Sequence, residues 1–115
     1  MAQLSVISAT MAGVQLNGQF SPADALGDSF LNDGTQNVIV RNSGGVARTV
    51  TVKADSHPCN MGLTSAAHDH QVTVPANDTV LVGPFDTARF NDAASLVQLR
   101  YDAVTNLQVM AIHYA

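Results

Sequence analysis

A chain of 115 residues has room for one hydrophobic core and reads as a single domain over residues 1–115. It is 46% hydrophobic but only 12% charged, with nine Asp, no Glu and one Lys; it therefore lacks the favoured fillers of solvated helix surfaces, which excludes helical bundles and long coiled coils. A net charge of −4 with five scattered cations (Arg41, Arg48, Lys53, Arg89 and Arg100) supplies no basic stripe for a phosphate backbone, so nucleic acid is not an expected partner.

In chain order, residues 4–7 and 14–16 are short strand candidates, and Asn17-Gly18 is a turn dipeptide. The apolar content and weak periodicity of residues 1–17 (Leu4, Val6, Ile7, Met11, Val14) predict an N-terminal arm. That arm would reach away from a β-domain over 18–115 and pair with a neighbour or with a larger assembly. Ser21 followed by Pro22 offers a cap and a first position for a helix of one or two turns, stopped by Gly27. Asp33-Gly34 is a further turn signal. Residues 37–41 are an apolar run, and Asn42-Ser43-Gly44-Gly45 predicts a hairpin whose glycines take positive φ. The return strand, 48–53, alternates cleanly. Val50, Val52 and Ala54 share one face, and Thr49, Thr51 and Lys53 the other.

Residues 70–74 repeat the alternation and stop at Pro75, which cannot donate to a ladder. After a turn at 75–78, residues 79–82 are expected to return as the antiparallel partner of 70–74. Asp86 is placed to cap a single helical turn ending at Phe90. Residues 96–101 put Val97, Leu99 and Tyr101 inward. Residues 107–114 differ. Leu107, Val109 and Ala111 line one face, but Met110 and Ile112 line the other, so both faces are apolar and the second needs cover from this chain or another subunit. Short strands rich in Val and Thr, with turns about every 8–12 residues, predict an all-β antiparallel sandwich. The expected fold is jelly-roll-like, with at most one or two short helical turns.

Chemistry has few footholds. No apolar run approaches the ~20 residues that span a bilayer, so no membrane partner is expected. The first residues lack the basic region of a secretory signal. A single cysteine, Cys59, excludes an internal disulfide. His57 with Cys59, and His68 with His70, sit two apart and would share a face in extended chain, the one arrangement here that could clamp a metal. A zinc or copper site needs three or four ligands converging at ~2.0–2.3 Å, and these spacings match no familiar ligand run. The plainer account is a polar loop between strands with Cys59 buried as a small apolar residue. The Asp residues fall in turn contexts such as Asp33-Gly34, Asn77-Asp78 and Asn91-Asp92, where they bond local backbone; none forms the paired carboxylates of acid–base catalysis. Trp is absent, and Phe85 and Phe90 flank a turn where packing on the sandwich end is expected, so no aromatic platform for sugars stands out. No catalytic residue, cofactor or metal is expected, and the protein reads as a non-enzyme. A surface rich in Thr, Ser, Asn and Gln has few Lys to blunt its sheet edges, which points to association. The residues expected at an interface are Leu4, Val6, Ile7, Met110 and Ile112.

The stretch Gly27-Asp28-x-Phe30-x-Asn32-x-Gly34, residues 38–42 and residues 49–52 resemble small virion proteins of tailed bacteriophages and prophages. The resemblance continues through Cys59-x-x-Gly62, His68-Asp69, residues 72–75, Gly83-Pro84-Phe85, Arg89-Phe90-Asn91-Asp92 and Tyr101. It covers most of residues 27–112, and it implies a capsid decoration or cement protein. Such a protein is synthesised in the host cytoplasm and sits on the outer surface of the head. There it bridges subunits of the major capsid protein and associates with itself, as a trimer first and a dimer second. The alternative is another virion component, a head–tail completion or fibre-base protein. A small metal- or glycan-binding β module comes third.

Overall fold

The computed structural model describes residues 2–54 and 69–113. The strands are β1 (Ala2–Gln3), β2 (Val6–Ser8), β3 (Ser21–Pro22), β4 (Asp28–Leu31), β5 (Gln36–Asn42), β6 (Arg48–Val52), β7 (His70–Val74), β8 (Asp78–Val82), β9 (Leu96–Tyr101) and β10 (Leu107–His113). They form two five-stranded sheets, one ordered β1-β4-β9-β6-β7 and the other β2-β10-β5-β8, with β3 also bonded to β10. The chain is an all-β sandwich, as its alternation requires. The inward residues of both sheets meet in one core. Phe30, Val40, Val52, Val97 and Val109 are fully buried, and each such side chain contributes about 1.5–3 kcal/mol by leaving water. Phe85 and Phe90 close one end, packed ring to ring with Phe30 at centroid distances of 5.5 and 5.9 Å along the row Phe30–Phe85–Phe90. The helical turn α1 (Thr87–Phe90) starts where Asp86 accepts the Ala88 N–H, which is the cap the sequence signals.

The connections depart from the expected hairpins. β5 and β6 lie in opposite sheets, as do β7 and β8. β7 pairs with β6, and β8 pairs with β5. Residues 42–47 and 75–77 are therefore crossings between layers. Neither Gly44 nor Gly45 takes a positive φ, whereas Asn77 does, at 56°. The physical reason lies in Asn42, which is 1% exposed. Its amide donates to the carbonyls of Val46 (2.8 Å), Val74 (3.3 Å) and Pro75 (3.3 Å), and its oxygen accepts the Gly44 N–H at 3.0 Å. One side chain thus ties both crossings together by donating to carbonyls of each.

The first third also corrects the expectation. Residues 2–8 do not reach away as an arm; β1 runs parallel to β4 and β2 parallel to β10, so the N-terminal strand begins on one sheet and ends on the other. Leu4, at the switch, is 8% exposed in the core, and its N–H donates to the Ser29 carbonyl at 2.7 Å. Burying that side chain while closing two sheet edges outweighs any gain from leaving the segment free. Residues 14–16 form no strand. No helix follows Ser21-Pro22; these residues pair with Val109 and Gln108 instead. Asp24 takes the Leu26 N–H at 2.9 Å in a turn closed by Gly27. Gly27 must be glycine there: its φ is +96°, and a Cβ would stand 2.5 Å from the Leu99 carbonyl oxygen.

Candidate functional site

Period-two alternation gives each sheet an outer face, and the two outer faces differ in chemistry. On the β1-β4-β9-β6-β7 sheet, the outward positions pair Thr49 with Thr73, Thr51 with Gln71 and Arg100, and Ser29 with Gln98. That face is polar apart from a single apolar pair, Leu31–Leu96, at its β4 end. On the other sheet, Ile7 of β2 pairs with Ile112 of β10, and Met110 of β10 pairs with Ile39 of β5, which pairs with Leu81 of β8. That face carries a cross-strand apolar row, flanked by Gln108, Arg41 and Thr79.

The row is covered at one end and open at the other. Met110 is 2% exposed and Leu81 is 56% exposed. Cover for Met110 comes from the chain itself. The segment from the 3-10 turn at Asn17–Gln19 to β3 lies across it, leaving a polar-rimmed cleft of about 330 Å³ lined by Gln3, Ser5, Phe20, Ser21 and Met110 among others. Arg41 holds this segment down. Its guanidinium stacks 3.9 Å from the Phe20 ring centre, Nε donates to Gln108 Oε1 at 3.1 Å, and Nη1 donates to Asn17 Oδ1 at 3.3 Å. Near Ile7 and Ile112, an apolar hollow of about 240 Å³ opens against Val14 and Leu16. At the far end, Leu81 borders a hollow of about 430 Å³ with Asn37 and Pro84.

The residues expected at an interface therefore part company. Ile7 and Ile112 do lie on the outer apolar face. Leu4 and Val6 pack into the core, and Met110 lies beneath residues of its own chain. Leu81 and Ile39 were not singled out by the sequence reasoning. Their signal was present nonetheless: Val38-Ile39-Val40 and Val80-Leu81-Val82 are as continuously apolar as Val109–Ile112. Among the metal candidates, His57, Cys59 and His68 lie outside the described residues. His70 is exposed on β7 opposite Val52, and no group of three His, Cys, Asp or Glu converges among the described residues.

One polar pair is buried beneath the β4–β9 ladder. Asp28 is fully buried, and its Oδ2 accepts the Tyr101 hydroxyl at 2.6 Å and the Asp24 N–H at 3.2 Å. Burial first, and the bond to Asp28 second, push the Tyr101 hydroxyl well above its ordinary pKa of 10.0. In the unfolded chain that hydroxyl ionises normally. The bond's stabilisation is therefore complete below pH ~10 and is lost as pH climbs beyond it. Tyr101→Phe is expected to cost about 2 kcal/mol at neutral pH and to flatten the alkaline fall in stability. Denaturant midpoints measured from about pH 8 to pH 11 check both effects; parallel curves for the two proteins would refute the assignment.

No helix among the described residues is long and apolar enough to cross a membrane. No family model, curated protein or solved structure matches the chain.

Proposed function

We propose that this chain is a capsid decoration protein of a tailed bacteriophage. It binds the outside of the icosahedral head and bridges neighbouring subunits of the major capsid protein without catalysing a reaction. The observation that carries the proposal is the contrast between the two outer faces. One carries Thr, Gln and Arg across β6, β7 and β9 with a single apolar pair, Leu31–Leu96, at its β4 end, and the other gathers Ile7, Ile112, Ile39 and Leu81 with Val14 and Leu16 beside them. An apolar patch rimmed by polar residues on a small domain is the mark of a docking surface. The resemblance of residues 27–112 to phage virion proteins names the partner class. A protein that binds the assembled shell and not its dissociated subunits stabilises the shell by mass action. Many modest contacts, repeated over the particle, act together.

Quantitative mass spectrometry of virions from the phage whose genome carries this gene tests the proposal. Hundreds of copies per particle are expected on a head of ordinary size. Five to a dozen would transfer the protein to a neck or fibre-base position, and absence from the particle would overturn the proposal. In the same particles, the double substitution Ile7→Asp/Ile112→Asp is expected to lower occupancy by at least about tenfold, equivalent to the loss of ~1.4 kcal/mol per site.

A further inference from the structure

The outer edge of β8 carries a pattern that capsid binding does not explain. β8 bonds to β5 on one side, and among the described residues no strand lies on its other side. Every second residue of such a strand directs its N–H and C=O away from the sheet. An edge of this kind templates another strand unless charge, Pro or a bulge blunts it. Two of the other sheet edges are short, β1 having two residues and β2 three. The remaining edge, β7, turns Gln71 and Thr73 outward and carries no apolar row. β8 has five residues, no Lys and no Pro, and its one charge is Asp78 at the first position. Leu81 ends the apolar row there, open to solvent.

We propose that β8 pairs antiparallel with β8 of a second copy about a two-fold axis at Val80, joining two β2-β10-β5-β8 sheets into one continuous sheet. The register follows from the strand's own sequence. With the axis at Val80, Asp78 faces Val82 of the second copy and Thr79 faces Leu81 of the second copy, so all five residues find partners and no like charges meet. An axis at Leu81 would set Asp78 opposite Pro84, which has no N–H to give. An axis at Thr79 would leave Leu81 and Val82 facing the turn at 76–77. In the Val80 register both Leu81 side chains lie on the same outer face as diagonal neighbours, within reach of each other, and the Met110–Ile39–Leu81 row continues across the junction. A contact of this symmetry is complete with two chains, so the expected state is the dimer, not the trimer that the resemblance places first. This association stands apart from capsid binding, because its readout is the free protein alone.

Sedimentation velocity of the purified chain and two double variants over a concentration series is the test, with thermal melts to confirm folding. Both substituted positions are exposed. The unmodified protein is expected to be dimeric. Thr79→Asp/Leu81→Asp sets like charges opposite each other twice and should weaken the dimer by at least about tenfold. Thr79→Asp/Leu81→Lys sets opposite charges in the same places, keeps the acidic residue opposite Arg41 of its own β5, and should restore it to within about threefold of the unmodified protein. A monomer at every concentration, a trimer, or a dimer indifferent to the first variant would overturn the proposal. A folded second variant that stays monomeric would do the same, because it would show the register to be wrong.

Discussion

Met110→Asp is expected to leave the chain without a cooperative fold at room temperature. Met110 is 2% exposed on the outer side of β10, under the segment that carries Phe20 and Pro22 and beside Leu4. Replacing it forfeits about 2–3 kcal/mol of apolar burial. It also sets a carboxylate in a site where none of the lining residues is basic, which costs several kcal/mol more or forces the group to take up a proton. The sum is comparable with the ~5–15 kcal/mol that separates folded from unfolded states of a small domain. Far-UV circular dichroism and a thermal melt check the outcome. Leu81→Asp is the control: the same change in the same apolar row, at its exposed end, should shift the melt by no more than a few degrees, since its charge stays in water. If Met110→Asp melted like the control, the cover over Met110 would be too loose to count as core.

Asn42→Leu is expected to destabilise the protein by about 3 kcal/mol, lowering Tm by on the order of 12 °C. The leucine is of similar size and can fill the space, so the loss is one of bonding. The carbonyl of Val46 and those of Val74 and Pro75 lose their shared donor, and the Gly44 N–H loses its acceptor. A buried group left unpaired costs more than an ordinary hydrogen bond contributes. Asn42→Asp separates the two halves of the effect. It keeps the acceptor for Gly44 and turns a carboxylate toward three carbonyls, so it should be at least as damaging as leucine. Equilibrium urea unfolding of the three proteins, read for the midpoint at constant slope, measures both differences. If both substitutions cost less than about 0.5 kcal/mol, the two crossings are held by something other than this side chain.

These two sites mark where local sequence stops being informative. Alternation located β6, β7 and β9, because one face of each strand must meet the core and the side-chain period of a strand is two. β5 was legible as an apolar run, β8 as the return after the turn at 75–78, and β10 as a strand apolar on both faces. Alternation also placed Tyr101 inward, and the Asp86 cap was legible because the side chain, the turn and the N–H it binds are all local. Partner choice was not legible. A Gly-rich link after a strand predicts a hairpin only when the neighbouring strand is the best partner for the free backbone. Here the chain changes layers twice, and the deciding bonds run from Asn42 to residues as distant as Val74 and Pro75. Pro22 likewise suits a helix start locally. The open backbone groups of β10 won it for a sheet edge.

The amino-acid order by itself settled that strands would form, which side of each would be apolar, and that residues 107–114 would need cover on both faces, since these depend on neighbours one and two positions away. The tertiary arrangement alone decided what supplies that cover. Arg41 clamps Phe20 and Asn17 over Met110, while at the other end of the same row Leu81 stays bare. Exposure is a property of packed surfaces and not of a residue's hydrophobicity, so identical apolar signals in β10 and β8 became core in one strand and a candidate contact surface in the other.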